Sequence, residues 1–109
     1  MNGVRLIEPV GYFDIHRLLQ GAQLVYTDSG GLQEETTALG IPCITLRENT
    51  ERPITVAAGT NIIVGTDPNK IKSAFEDIMS TGGKQGNIPV GWDGKAAERI
   101  CKILSDSLY

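Results

Sequence analysis

The sequence has few of the residues on which several large protein classes depend. Only 6% of the 109 residues are aromatic, and there are two cysteines and one histidine. Cys43 and Cys101 lie far apart and match neither a zinc-binding spacing nor a disulfide framework. We therefore expect no metal site. Both cysteines are interpreted as free, reduced and packed thiols, which fits the cytosol.

Positive charge is also scarce. Ten lysines and arginines stand against thirteen aspartates and glutamates, for a net charge of −3. Because nucleic acids and anionic membranes are usually bound by basic surfaces, we expect neither partner. No signal peptide and no membrane-length apolar run is evident, which predicts a cytoplasmic protein. Backbone N–H groups bind phosphate without a basic surface, so a nucleotide ligand is compatible with this composition.

Short apolar runs alternate with helical patterns. Strands are predicted at residues 4–7, 24–27, 43–46 and 61–64, and helices at 12–20, 30–39, 53–59, 68–81 and from about 94 onward. In the last helix, the residues predicted to face inward are Ala97, Ile100, Cys101 and Leu104. The alternation is typical of an α/β fold with a doubly wound, Rossmann-like parallel sheet. A strand near the start predicts that this single domain is the latter part of a larger one.

A glycine turn after the second predicted strand is the strongest functional signal. Ser29, Gly30 and Gly31 follow an apolar run and open a helix, where backbone N–H groups lie at the positive end of the helix dipole. Glycine lacks a Cβ, so an anionic group can approach its backbone closely. Ser29 alone fits a plain N-cap, but the glycine pair favours phosphate contact.

Two carboxylates, Glu34 and Glu35, are expected in the first turn of this helix. Glu34 is interpreted as a residue that only favours the helix dipole. Glu35 shares a face with Leu32 and Leu39, which is predicted to face the sheet. A carboxylate there is costly unless it accepts hydrogen bonds, and the vicinal hydroxyls of a ribose are good donors. Glu35 is therefore predicted to bind a ribose.

A polar loop at residues 47–53 follows the third predicted strand. Ligands of parallel sheets bind at the carboxyl ends of strands, so Arg47 and Arg52 are placed to clamp a diphosphate. Arg52, beside Pro53 at a helix start, is the better candidate. The alternative is a solvated turn with weak local ion pairs. His16 is interpreted as a surface or packing residue.

Several ordered motifs resemble the non-hydrolysing UDP-N-acetylglucosamine 2-epimerases. They are TDSGGLQEE at 27–35, LGIP at 39–42, LRENTERP at 46–53, AGT at 58–60, VGTD at 64–67 and WDGKAAERI at 92–100. Together they cover most of the chain and are far more specific than one glycine turn. The resemblance implies two doubly wound domains of the glycosyltransferase-B type. Residues 1–109 would form a UDP-binding half-domain in the latter part of the second.

The resemblance also implies a UDP site, made of Ser29, Gly30, Gly31, Glu35, Arg52, Val10 and Ile15. The serine and the glycines would hold the phosphates, the glutamate the ribose, and the arginine the phosphate or sugar side. The last two residues stand where relatives line the uracil. Relatives carry an aromatic residue at the position of Ile15, whereas both positions are aliphatic here.

The implied reaction eliminates UDP to give a 2-acetamidoglucal and adds it back with inversion at C2. It interconverts UDP-GlcNAc and UDP-ManNAc for cell-surface polysaccharide biosynthesis. The family's catalytic carboxylates lie in the first domain and a histidine lies early in the second. The resemblance therefore implies no catalytic residue in this chain, no cofactor, and a chain inactive by itself.

The expected partners are UDP or UDP-N-acetylglucosamine and the missing N-terminal domain. A sheet cut partway through a domain also leaves an unpaired strand edge and uncovered apolar surface, expected near the Val4 strand, and so predicts self-association. The alternatives are a UDP-sugar glycosyltransferase, which the Thr-Glu-Arg-Pro loop disfavours, and a stand-alone nucleotide- or partner-binding module without catalysis.

Overall fold

A computed structural model describes residues 3–108, which form a parallel sheet of three strands with helices between them. The elements are α1 (Tyr12–Gln20), β1 (Val25–Thr27), α2 (Gly30–Leu39), β2 (Cys43–Thr45), α3 (Pro53–Ala57), β3 (Asn61–Ile63), α4 (Pro68–Thr81) and α5 (Ala96–Leu108). The strands lie in the order β1-β2-β3, with Val25 beside Cys43 and Cys43 beside Asn61. The predicted alternation of strands and helices is confirmed from β1 onward.

The predicted strand at residues 4–7 is wrong. Residues 4–11 are neither helix nor strand, and Leu6 is 95% exposed. A strand needs a neighbour to exchange backbone hydrogen bonds with. None of the described strands pairs with this segment, so its apolar residues do not produce a strand.

The central strand β2 has two faces of different chemistry. Ile44 is fully buried and clusters with Val64 and with Ile78 of α4. Because side chains alternate along a strand, Cys43 and Thr45 point to the other face, toward α2. Both are fully buried. Burial raises the pKa of the Cys43 thiol, and the predicted packing of this cysteine is confirmed.

Helix α5 lies where the sequence predicts a helix, but it is not buried. None of its residues is buried, and Ile100 and Leu104 are 56% and 52% exposed. Cys101 is exposed as well, so its predicted packing is wrong. The spacing of apolar residues predicts which face of a helix is apolar, but it does not show which surface packs against that face. Among the described helices, none has both the length and the apolar character needed to cross a membrane.

Local signals at the helix ends act as predicted. The Asp67 carboxylate accepts a hydrogen bond from the N–H of Asn69 at 2.9 Å, and Pro68 is the first residue of α4. At the other end, Gly82 adopts a left-handed conformation with φ of 83°. This pairing of an N-cap with a terminal glycine fixes both ends of the helix from nearby residues alone.

Candidate functional site

The glycine turn joins the carboxyl end of β1 to α2. Ser29 is the N-cap: its Oγ accepts from the N–H of Leu32 at 3.5 Å, and its own N–H donates to Oγ1 of Thr27 at 3.0 Å. Within residues 3–108, no protein acceptor receives a hydrogen bond from the N–H groups of Gly30 and Gly31. These two donors lie at the positive end of the helix dipole, where an anion is favoured.

Arg52 lies directly against this turn. A Cβ added at Gly30 would lie 3.7 Å from Cζ of Arg52 and 3.8 Å from its Cγ. The Nε group donates to Oε1 of Glu34 at 2.5 Å, and Nη1 donates to the carbonyl of Glu51 at 3.4 Å. The hydrogen bond with Glu34 raises the pKa of Arg52 further above its ordinary range. The predicted placement of Arg52 level with the glycine turn is confirmed.

Glu34 and Glu35 lie in the second turn of α2, not in the first, because the helix begins at Gly30. The interpretation of Glu34 as a dipole residue is therefore wrong, since its carboxylate forms an ion pair with Arg52. Glu35 is half-buried, and no hydrogen bond or ion pair to it is found within the described part of the chain. The two neighbouring carboxylates thus differ, because Glu34 is paired with Arg52 whereas Glu35 can accept hydrogen bonds from a ligand.

The face of α2 turned to the sheet is polar. Its buried residues are Gln33, Thr36 and Thr37. The predicted inward face of Leu32, Glu35 and Leu39 is only half-buried. Because apolar residues are normally the buried ones, the sequence predicts that the leucines face the sheet. The sheet side of α2 is polar because Thr45 and Asn61 present hydrogen-bonding groups to it.

Gln33 is the centre of a buried hydrogen-bond network that the sequence does not reveal. Its Oε1 accepts from Nδ2 of Asn61 at 3.0 Å and from Oγ1 of Thr50. Asn61 also donates to Oγ1 of Thr55 at 3.0 Å and accepts from Oγ1 of Thr45. Leaving one buried polar group unpaired costs about 1–3 kcal/mol, so the network holds α2, the sheet and the loop before α3 together.

The second arginine of the predicted clamp reaches the turn only through Glu51, whose Oε2 would lie 3.6 Å from a Cβ added at Gly30. Arg47 donates to Oε1 of Glu51 at 3.1 Å, in a pair whose members are 36% and 60% exposed. Such a pair contributes little to stability. Of the two arginines, Arg52 is the one whose side chain lies against Gly30.

The two predicted uracil positions lie in and before α1. Val10 is 40% exposed and Ile15 is half-buried. Over residues 3–108, no hydrogen bond joins either of them to the glycine turn, and their role stays a prediction. The His16 ring lies 5.8 Å from that of Tyr12, in keeping with its interpretation as a packing residue.

Comparison with known proteins relates this geometry to a family. Residues 1–105 match the family model described as UDP-N-acetylglucosamine 2-epimerase. The chain belongs to this family. The UDP-N-acetylglucosamine 2-epimerase of Methanocaldococcus jannaschii is 48% identical over 106 residues, which are 97% of this chain and 28% of that protein.

Solved structures of relatives show the same fold. A Methanocaldococcus jannaschii UDP-GlcNAc 2-epimerase in complex with UDP-GlcNAc and UDP matches with a TM-score of 0.79 and 48% identity, over 91% of this chain and 27% of that one. A Neisseria meningitidis UDP-GlcNAc 2-epimerase bound to UDP-GlcNAc matches with a TM-score of 0.85 and 34% identity, over 96% of this chain and 29% of that one. The predicted glycosyltransferase-B-type fold is confirmed.

The chain spans about 28% of the curated relatives that it matches, and it corresponds to their carboxyl-terminal part. The family match decides against the glycosyltransferase alternative. It does not by itself assign to this chain what the longer relatives do.

Proposed function

We propose that this chain is the UDP-binding part of a UDP-N-acetylglucosamine 2-epimerase, holding UDP while groups outside the chain act on the sugar. One observation carries the proposal, namely that three kinds of ligand-binding group lie close together. The glycine turn supplies the N–H groups of Gly30 and Gly31, and the helix that follows supplies the carboxylate of Glu35. The loop against the turn supplies the guanidinium of Arg52. The two solved relatives with bound UDP-GlcNAc support it.

The phosphates bind at the glycine turn. The N–H groups of Gly30 and Gly31 donate to phosphate oxygens, and the Ser29 hydroxyl donates its hydrogen while its oxygen caps Leu32. Arg52 uses its Nε for Glu34 and one hydrogen of Nη1 for the carbonyl of Glu51, which leaves Nη2 and the second hydrogen of Nη1 to reach the diphosphate. Glu34 thus sets the orientation of the guanidinium rather than binding the nucleotide.

The nucleoside binds further along the same edge. Glu35 lies one turn into α2, where its carboxylate accepts hydrogen bonds from the two ribose hydroxyls. Backbone groups near Val10 and the side chain of Ile15 complete the uracil contacts. Without an aromatic partner, the base is held less tightly by stacking than in relatives that carry one.

The chemistry at C2 needs a base that this chain does not supply. Glu34 is paired with Arg52 and Glu35 binds ribose, while Glu48 and Glu51 are exposed to water in the loop after β2. A carboxylate that is not held against the sugar is a poor catalyst. This chain contributes to the reaction by stabilising the negative charge on the departing UDP. The catalytic carboxylates then belong to the N-terminal domain of the whole enzyme.

The test follows deuterium entry at C2 of UDP-N-acetylglucosamine in D2O, with the chain alone and with a separately produced remainder of the enzyme. We expect exchange only in the mixture, and weak but measurable binding of UDP to the chain alone. Exchange catalysed by the chain alone would contradict the division of labour. Calorimetric titration without any UDP binding would contradict the proposed site itself.

A further inference from the structure

Both backbone polar groups of Arg52 are held by threonine hydroxyls. Its N–H donates to Oγ1 of Thr50 at 2.9 Å, and its carbonyl accepts from Oγ1 of Thr55 at 2.7 Å. Each hydroxyl is tied in turn to the buried network: Thr50 donates to Oε1 of Gln33, and Thr55 accepts from Nδ2 of Asn61. The backbone of Arg52 is therefore connected to the core through two side chains.

The conformation of Arg52 needs such support. It has φ of −125° and ψ of 61°, which belongs to neither a regular helix nor a strand, and it directly precedes Pro53 at the start of α3. Within residues 3–108, one backbone hydrogen bond reaches it, from the N–H of Thr55 to its carbonyl at 3.0 Å, and the other hydrogen bonds to its backbone come from the two threonine hydroxyls. The direction in which its side chain leaves the loop is set by these hydrogen bonds, and that direction brings the guanidinium across Gly30.

Gln33 belongs to the helix whose first N–H groups form the anion site. It lies on the buried face of α2, four residues after Ser29, and is 1% exposed. Through Thr50 it links the loop that carries Arg52 to the element that carries Gly30 and Gly31. The two sets of phosphate donors are thereby fixed relative to each other before any ligand arrives, which reduces the entropic cost of binding.

We propose that Gln33 and Thr50 are positioning residues of the UDP site: the buried amide of Gln33 holds Thr50, and Thr50 holds Arg52 in place for the diphosphate. This inference rests on the proposed phosphate role of Arg52. Neither residue touches the nucleotide.

The test compares two threonines of the same network. Thr50→Val keeps the side-chain shape and removes the hydroxyl between Gln33 and Arg52. Thr45→Val is the matched control, because Thr45 donates to Oδ1 of Asn61 from the strand side and leaves the path through Thr50 intact. We expect both variants to melt at a lower temperature. We expect only Thr50→Val to lose UDP affinity, by about fivefold to tenfold, and Thr50→Ser to restore it.

A double-mutant cycle separates positioning from general destabilisation. Arg52→Ala is expected to weaken UDP binding about tenfold in the wild type and in Thr45→Val. In Thr50→Val it is expected to change affinity less than about twofold, because the arginine is already misplaced. If Arg52→Ala cost the same in all three backgrounds, the inference would be overturned.

A second measurement needs no nucleotide. The Arg52 Nε–H is hydrogen-bonded to Glu34, so its NMR signal should exchange slowly with water in the wild type and in Thr45→Val, and fast in Thr50→Val. Slow exchange in all three would overturn the inference. Two failures remain distinguishable from this one. Wild type and Arg52→Ala binding UDP equally, while the exchange rates still differ, would overturn Arg52 as a diphosphate contact and with it the positioning role; no UDP binding by the wild type would overturn the proposed function. If Thr50→Val does not fold, Thr50→Ala removes the same hydroxyl and is measured in its place.

Discussion

The Nε group of Arg52 donates to the carboxylate of Glu34, 18 residues earlier in the chain, at 2.5 Å. This ion pair joins helix α2 to the loop that lies against the glycine turn. Glu35, the neighbour of Glu34, forms no such pair within the described residues. Both partners remain partly exposed, at 43% and 41%, so the pair contributes little to stability. Its consequence is geometric, since it orients the guanidinium over Gly30.

The adjacent glutamates are expected to respond differently to the same substitution. Glu35→Gln keeps the shape of the side chain but removes the negative charge that strengthens hydrogen bonds from the ribose hydroxyls. The substitution should weaken the free energy of UDP binding by about 1.5–3 kcal/mol, which is roughly tenfold or more in affinity. Glu34→Gln is the control and should change the affinity less than about threefold, because the amide oxygen that replaces the carboxylate still accepts from Nε of Arg52 and keeps the guanidinium oriented. Isothermal titration with UDP measures both. Equal affinities for wild type and Glu35→Gln would refute the ribose role.

The two arginines of the loop form a second matched pair. Arg52→Lys keeps the charge but loses the forked donor geometry, and we expect UDP affinity to fall about fivefold. Arg47→Lys alters a residue that pairs with exposed Glu51, and we expect a change within about twofold. A larger effect at Arg47 than at Arg52 would mean that the diphosphate lies elsewhere.

Gly59 is expected to tolerate no side chain. A Cβ there would lie 2.7 Å from the carbonyl oxygen of Thr55 and would also overlap the side chain of Thr37. Gly59→Ala should therefore lower the free energy of unfolding by about 1–3 kcal/mol. Gly21→Ala, whose nearest neighbour would be 4.0 Å away, should change it by less than about 0.5 kcal/mol. Urea denaturation compares the two, and equal midpoints would contradict the close packing at Gly59.

The start of α5 is expected to depend on pH through Asp93. Its carboxylate accepts two hydrogen bonds from Arg99, which lower its pKa below the ordinary value of 3.8. A lowered folded pKa means that the stabilisation is present above 3.8 and disappears as the pH falls through the folded value. At pH 7, amide hydrogen exchange in the first turn of α5 should be faster in Asp93→Asn than in the wild type. That difference should vanish at strongly acidic pH, and its persistence there would exclude the carboxylate as the cause.

Because residues 4–7 are not a strand, the self-association predicted at an edge near Val4 is expected instead at the exposed apolar face of α5. Ile100, Ile103 and Leu104 are each more than half exposed along this amphipathic helix. Such a surface favours contact with another apolar surface. Light scattering should show a mass that rises with protein concentration, and Ile103→Glu should reduce the rise. Lys102→Glu, which changes a charged residue of the same helix, is the control. A clean monomer at high concentration would contradict the prediction.

The geometry of the proposed UDP site was only partly predictable from its residues. Ser29, Gly30 and Gly31 could be recognised because a turn and the helix that follows it are contiguous in sequence. The placement of Arg52 followed from a topological rule, since the carboxyl ends of parallel strands meet at one edge. The role of Glu34 could not be predicted, because its partner comes from a loop 18 residues away.

The sequence by itself determined where α2 and α4 begin and end and that the chain alternates strands with helices. Those features depend on caps, glycines and periodicities within a few neighbouring positions. Only the tertiary structure decided that the buried face of α2 is Gln33, Thr36 and Thr37, and that residues 4–7 are not a strand. Burial and strand pairing depend on partners distant in sequence, such as Asn61, 28 residues beyond Gln33. A local sequence pattern shows which residues of a segment could be buried, and the tertiary packing decides which of them are buried and against which partners.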